Sequence, residues 1–397
     1  MSNWQELERK YLMHTVERVP LTLVRGSGAR VWDEDGREYL DFVSGWAVNS
    51  LGHCPPVVVD AVVEQVQTLI QASNQFYTIP QIRLAELLLQ HSCLDKAFFC
   101  NSGAEANEGA AKLARRYGEH HLGGAYEIIT ATGSFHGRTL AMVAATGQPK
   151  FQQPYVPLPS GFVNVEYNNV EAIEAATTDR TCAVMLEPVQ GEGGVNIPDD
   201  DYLKAVRAWC DKKGILLILD EIQTGVGRTG TLFAYEQHGI EPDVMTLAKG
   251  LASGIPIGAI LAKDNASVFA PGEHGSTFGG NPVACAAAYA TLKYVIDHDI
   301  AGNARRVGQY LMTGLANLKG KFSFITDVRG CGLLVALEFN RDIASPVLTA
   351  CLDRGLLVNR LKPNALRFMP PLIIGEREVD EALDILEQAL SSIGDRE

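Results

Sequence analysis

The 397-residue chain has no CxxC pair, no metal-ligand spacing among its eight cysteines, no Ser/Gln-rich or Pro-rich tract, and no uncharged stretch near the ~20 residues that a membrane helix needs. The first absences exclude a zinc module or a thioredoxin-like dithiol. Cys100, Cys182 and Cys331 sit in or beside apolar runs and read as buried thiols of a reducing compartment. With 46% hydrophobic and 20% charged residues and no biased tract, a disordered chain is excluded. Basic residues are also scarce: 34 Lys and Arg against 47 Asp and Glu leave a net charge of −13, which excludes nucleic acid as a partner. The opening segment MSNWQELERKYLMHTVERV lacks the apolar centre of a secretory signal, so no membrane partner is expected and the expected address is the cytoplasm.

What is present points to two domains, since domains usually span ~100 to 200 residues. In residues 1–54, ARVWDEDGREYLDF alternates apolar positions about a DG turn and reads as a hairpin. From residue 55 to 290, helices of period 3.6 such as VVVDAVVEQVQTLI alternate with short apolar runs at 96–100, 127–131, 183–187, 215–220, 244–247 and 258–261. That alternation predicts a large α/β domain with a mostly parallel sheet covered on both faces. Residues 291–397 read as a long helix, then strands in FITDVRGCGLLVALEF and LLVNRLKPNALRFMP, then the helix REVDEALDILEQALSSI. This is a smaller α+β domain, which residues 1–54 are expected to join.

Open parallel sheets bind ligands outside the carboxyl ends of their strands. After Cys100, Ser102 and Glu105 have the spacing of a capping box, and Gly103 permits close approach, so Ser102, Gly103 and Ala104 offer N–H groups suited to a phosphate; an ordinary capped helix is the alternative. ILLILD ends in Asp220, a carboxylate costly to bury without a cation or donor. VMTLAKGL places Lys249 after an apolar strand, where partial desolvation lowers an amine's pKa and makes it nucleophilic toward an aldehyde. Taken singly, Asp220 is equally a strand-end cap and Lys249 a surface residue. Together they suit pyridoxal 5'-phosphate (PLP), whose protonated ring nitrogen needs an anion and whose aldehyde needs an amine. In TATGSFHGRT, Phe135 offers a flat face and Arg138 a fork for a carboxylate; a core phenylalanine and a solvated arginine are the alternatives. GVGRTG at 225–230 has the glycines of a dinucleotide fingerprint, but no amphipathic helix begins at its last glycine, so a dinucleotide is not expected.

In order along the chain, NSGAEAN, SFHGRT, EPVQGEGG, LDEIQTGVGRTG, LAKG, STFGGNP and LRFMPP resemble the class III (ω-amino) aminotransferases of PLP fold type I, the aspartate aminotransferase-like fold. The resemblance spans nearly the whole chain. It implies that Lys249 holds PLP as a Schiff base and acts as general base, and that Asp220 partners the ring nitrogen. It also implies that Gln223 bonds the ring hydroxyl, that Phe135 and Ile222 cover the ring faces, and that Ser102, Gly103 and Ala104 hold the phosphate. Thr277 would complete that cup from the neighbouring subunit of a homodimer with shared sites. Arg138 would take the substrate carboxylate remote from the reacting amine, and Arg367 the α-carboxylate of glutamate or 2-oxoglutarate. Glu192 would pair with Arg367 while an ω-amine occupies the site. A small-molecule amino donor and 2-oxoglutarate would then react in turn, with ping-pong kinetics.

Within the family, LVRGSGARVWDEDGREYLDFVSGWAVNSLGHC is most similar to the branch that works on N2-acetylornithine in arginine biosynthesis. The reaction implied is transfer of its ω-amino group to 2-oxoglutarate, giving N-acetylglutamate 5-semialdehyde and glutamate. Trp46 stands where ornithine-specific members tend to carry tyrosine; its indole suits an acylated amine, with interface packing as the alternative role. Two positions depart from the pattern: Pro55 and Pro56 replace the frequent His-Pro, and the acetylornithine branch more often has a small aliphatic residue in place of Trp46. Ornithine, succinyldiaminopimelate and 4-aminobutyrate remain alternative donors, and an aminomutase or a non-catalytic PLP-binding protein the alternative classes.

Overall fold

The computed structural model describes residues 4–394. Near the start, β1 (Leu23–Ser27), β2 (Arg30–Asp33) and β3 (Glu38–Asp41) pair antiparallel in sequence. The turn between β2 and β3 follows its DEDG signal. Asp33 Oδ1 accepts from the backbone N–H groups of Asp35 and Arg37 at 3.1 and 2.8 Å, and Gly36 takes a φ of 81°.

The large sheet comprises β4 (Lys96–Cys100), β5 (Glu127–Ala131), β6 (Phe162–Val165), β7 (Thr181–Leu186), β8 (Leu216–Asp220), β9 (Val244–Leu247) and β10 (Gly258–Ala262). Its seven strands lie in the order β4-β10-β9-β8-β7-β5-β6. All neighbours from β6 through β9 are parallel, and β10 alone runs antiparallel to both β9 and β4. The strands β7 to β10 are buried along their whole length, which is why they read as unbroken apolar runs. β6 is an addition to the expected strands: an edge strand of half-buried residues, FVNV, carries no such run. β7 also ends one residue before Glu187, so that carboxylate stands beyond the strand.

The helix Gly103–His121 packs on β9 and β10 through small residues, with Ala106, Ala110 and Ala114 fully buried. Near its end, a Cβ on Gly118 would lie 1.9 Å from the carbonyl oxygen of Ala125, in the loop that leads to β5. Beyond the large sheet, the single long helix expected is two helices, Pro282–Asp297 and Ile300–Lys321. Asp299 separates them at a φ of 48°, and its Oδ1 caps the second by accepting from Gly302 N at 3.1 Å.

The strands β11 (Ile325–Cys331), β12 (Leu334–Phe339), β13 (Leu356–Leu357), β14 (Asn359–Lys362) and β15 (Ala365–Phe368) follow, and the helix Glu376–Gly394 succeeds them. An antiparallel sheet takes the order β11-β12-β15-β14, while β13 pairs in parallel with β3. Arg30 on β2 also reaches Glu381 of the last helix at 2.6 Å. The glycine-rich turn at 225–230 starts no helix; it wraps the C-terminal sheet. Arg228 Nη1 donates to the carbonyls of Leu333 and Pro370 at 2.9 and 2.6 Å, so the glycines serve packing rather than a phosphate. Among the described residues no helix is long and apolar enough to cross a membrane, and no group of three or more His, Cys, Asp or Glu could hold a metal ion.

Candidate active site

β8 and β9 are parallel neighbours, with Asp220 opposite Thr246, so the sheet delivers Asp220 and Lys249 to the same carboxyl edge. β10 runs back between β9 and β4 and pairs Gly258 with Cys100, which brings the helix start at Ser102 to that edge as well. A cavity of about 410 Å³ lies there. Of the residues expected at the site, Ser102, Gly103, Ala104, Phe135, Arg138, Glu192, Asp220, Ile222, Gln223 and Lys249 line it.

Lys249 opens a short helical turn at a φ of 40°, a left-handed conformation that is unfavourable for a side chain and typical of functional sites. Among the described residues no hydrogen bond or ion pair fixes its amine. Burial holds its pKa below the ordinary lysine value, against the pull of Glu192, Asp220 and Glu187, while Arg367 adds to the lowering. Asp220, by contrast, is fastened on three sides. Its Oδ2 accepts from His136 Nδ1 and Asn107 Nδ2, both at 2.7 Å, and its Oδ1 from Ile222 N at 3.1 Å. One lone pair of Oδ1 is left for the cavity. Burial opposes a charged His136, but the bond to Asp220 outweighs it and raises the imidazole's pKa.

Ser102 caps the helix as expected, its Oγ accepting from Glu105 N at 3.2 Å. The reciprocal half of the capping box is displaced by one residue: Glu105 Oε2 takes Asn101 N at 2.6 Å. First-turn N–H groups have no intrahelical partner, so those of Gly103 and Ala104 are free to meet an anion. A Cβ on Gly103 would lie 2.7 Å from Ile222 Cδ1, so the glycine lets Ile222 pack over the helix start. Gln223 Oε1 accepts from Arg367 Nη1 at 3.2 Å, which fixes the amide, and its buried Nε2 meets no acceptor among the described residues.

Arg367 stands behind the cavity wall, 1% exposed. Its Nη2 lies 2.8 Å from Glu192 Oε1, the pair that the sequence led one to expect. Burial raises the Glu192 pKa, but Arg367 and Lys249 outweigh it and leave the carboxyl below its usual range. Arg138 is exposed at the cavity mouth, its guanidinium 4.1 Å from the Phe151 ring centroid. Trp46 and Thr277 lie outside the cavity lining of the single chain. Trp46 is 50% exposed and sits in a left-handed turn, with φ of 51°, 62°, 62° and 63° from Ser44 to Ala47. The Thr277 side chain is exposed, and its carbonyl accepts from Gln71 Nε2.

Sequence reasoning missed His136, Asn107, Glu187 and Asn359. His136 and Asn107 stood inside quoted motifs as polar residues among small ones. Glu187 carried the signal that found Asp220, a carboxylate at the end of a fully apolar strand. It bridges two cavity loops, accepting from Phe135 N at 3.0 Å and Gly191 N at 3.3 Å, and burial pushes its pKa up to about 7. Asn359 had no sequence signal at all.

A molecule suited to this cavity puts an anion at a helix start and a flat ring against Phe135 and Ile222. It also needs an acceptor at Gln223 Nε2 and a cationic nitrogen at Asp220. PLP has all four, and with the seven-stranded sheet this site defines a PLP-dependent enzyme of fold type I. The chain belongs to the class-III aminotransferases, whose family model matches residues 11–390. It is 51% identical over 387 residues to the acetylornithine aminotransferase of Caldanaerobacter subterraneus subsp. tengcongensis, covering 97% of this chain and 98% of that one. Among solved structures, it superposes on the ornithine aminotransferase of Toxoplasma gondii with a TM-score of 0.96 at 34% identity, covering 99% and 96% of the two chains. The acetylornithine aminotransferase of Elizabethkingia anophelis gives 0.88 at 35% identity, covering 98% of each.

Proposed function

We propose that this aminotransferase moves the ω-amino group of N2-acetylornithine to 2-oxoglutarate, giving N-acetylglutamate 5-semialdehyde and glutamate. The observation that carries this reading is the Glu192–Arg367 pair at 2.8 Å beside the Lys249 amine. An ω-amine has no carboxylate next to the reacting carbon, and an uncovered guanidinium there would cost several kcal/mol, about 3 to 5 when one partner of a buried pair is removed. With Glu192 in place the site suits the ω-amine; with Glu192 withdrawn, Arg367 takes the α-carboxylate of 2-oxoglutarate. The roughly half-identical relatives named for acetylornithine, matched over nearly their full length, support this donor.

When bound, PLP supplies an electron sink for the carbon that loses its proton. Lys249, kept toward its neutral form by burial, moves the proton at that carbon. Asp220, fixed by His136 and Asn107, would hold the ring-nitrogen proton. Gln223 Nε2 would donate to the ring hydroxyl, and the N–H groups of Gly103 and Ala104, with Ser102, would hold the phosphate. Phe135 and Ile222 cover the ring faces and keep water out. Arg138 takes the carboxylate at the far end of either substrate.

The working unit in this reading is a homodimer. Trp46, Phe76, Tyr77, Ile79 and Phe278 are 50% to 97% exposed in the single chain, an apolar surface that invites a second copy. Thr277, exposed beside Phe278, then reaches the phosphate cup of the neighbouring subunit. The address is cytoplasmic, in keeping with eight free thiols.

The test is kcat/KM for N2-acetylornithine, ornithine, succinyldiaminopimelate and 4-aminobutyrate with 2-oxoglutarate, in wild type and in Trp46→Tyr. N2-acetylornithine is expected to lead, with ornithine gaining in the variant. A lead for any other donor overturns the assignment, and an unchanged ratio makes Trp46 a packing residue.

A further inference from the structure

Arg367 has five N–H donors, and the structure shows acceptors for four of them. Among the described residues one acceptor is a carboxylate, Glu192 Oε1. The others are amide oxygens: Gln223 Oε1 on Nη1 at 3.2 Å, and Asn359 Oδ1 on both Nε and Nη2, at 3.1 and 2.9 Å. Asn359 is not near Arg367 by accident of a loop. β14 and β15 pair antiparallel with Asn359 directly opposite Arg367, so the ladder fixes the two side chains across from each other.

We propose that Asn359 is the positioning residue of Arg367: a neutral acceptor that orients the guanidinium without neutralising it, so that one carboxylate at a time completes the pair. The inference rests on the proposed exchange of Glu192 for a substrate α-carboxylate at Arg367. If both permanent partners were anions, the guanidinium would already be compensated. An incoming carboxylate would then meet a site of net negative charge at about 3 Å, where Coulomb terms are large even at intermediate dielectric. If neither position had an acceptor, the fork would lose the bond to Nε that sets its plane. An amide oxygen avoids both outcomes. Gln223 does the same on the other side through its own amide oxygen.

Asn359 is only half-buried, so a carboxylate is tolerated there, and Asn359→Asp is nearly isosteric. The probe is glutarate, a five-carbon dicarboxylate with no reactive carbonyl, titrated by calorimetry into wild type, Asn359→Asp, Asn359→Ala, Asn359→Ser and Glu192→Ala. Near-ultraviolet circular dichroism of each checks folding, and Asn359→Ser retains a neutral oxygen should the aspartate variant not fold. Expected results are a Kd raised by roughly tenfold or more in Asn359→Asp, a smaller rise in Asn359→Ala, recovery toward wild type in Asn359→Ser, and tighter binding in Glu192→Ala. Equal weakening in the aspartate and alanine variants, or none in either, overturns the role of Asn359. So does a serine variant that binds no better than alanine. Unchanged affinity in Glu192→Ala overturns the exchange reading instead, which keeps the two failures distinct. The kinetic counterpart in Asn359→Asp is a rise in KM for 2-oxoglutarate that exceeds any loss in the ω-amine half-reaction, a split that general loss of packing does not produce.

Discussion

The Asp220 end and the Arg367 end of the cavity each hold a buried charge, 3% and 1% exposed, yet they hold it in opposite ways. Asp220 is closed in by His136, Asn107 and the backbone of Ile222, all parts of the fold that have no reason to leave. Arg367 is oriented by two amides, and its charge is met by a carboxylate on the four-residue turn Gly191–Gly194, whose side chain is 30% exposed. The first arrangement suits a group that stays through every turnover. The second suits carboxylates that come and go, since replacing one anion by another leaves the buried charge compensated. Lys249 lies between them and feels both, its amine responding to Glu192, Arg367 and Asp220.

The largest effect should come from the group the two ends share. Lys249→Ala is expected to lower kcat on the order of 10³-fold, and borohydride should no longer fix PLP to the chain, as read by mass spectrometry. Retained turnover would dissolve the comparison, because neither end would then flank the reacting atom.

Glu221 sharpens what a purely structural carboxylate looks like. It follows Asp220 in sequence but turns away from the cavity, accepting from Ala234 N and Tyr235 N at 2.7 and 2.9 Å, and burial raises its pKa to about 7. Between pH about 4.5 and 7 the folded state keeps a proton that the unfolded state has lost. Stability therefore falls as pH rises through that window, by about 3 kcal/mol for this group. Glu187, raised in the same direction, adds to the slope. Urea midpoints should fall with rising pH in wild type and fall less in Glu221→Gln; identical slopes would remove Glu221 from the account.

The smallest expected effect concerns the exchangeable end. Glu192→Ala should slow the ω-amine half-reaction roughly tenfold more than the glutamate half-reaction, about 1.4 kcal/mol of selective loss, measured by single-turnover absorbance. Equal slowing would make Glu192 as permanent a neighbour as His136.

Much of this was legible before any coordinates. Lys249, Asp220 and the Ser102 cap were legible together, each following an apolar run at the place where a parallel sheet opens to ligand, though each alone also had an ordinary structural reading. Strands β8 and β9 were plain for the same reason, being buried on both faces. β6 was not, since an edge strand needs no apolar run, and the break at Asp299 hid inside a helical period because a single left-handed residue leaves no periodic trace. Asn359 illustrates the deeper limit. Nothing in NRLKPNALRF separates it from any polar strand residue.

Local chemistry written in order along the chain thus pointed to the cofactor, through a strand-end lysine, a strand-end carboxylate and a capped glycine start, while the class of reaction came from the seven motifs that resemble one family. Which groups would touch was another matter. Asp220 and His136 are 84 residues apart, and Arg367 and Gln223 are 144 apart. Their meeting depends on strand order, on β10 running backwards to bring Gly258 beside Cys100, and on the register that sets Asn359 against Arg367. Those are properties of the packed whole, because hydrogen-bonded pairing between distant strands is decided by the core they enclose and not by the residues next in line.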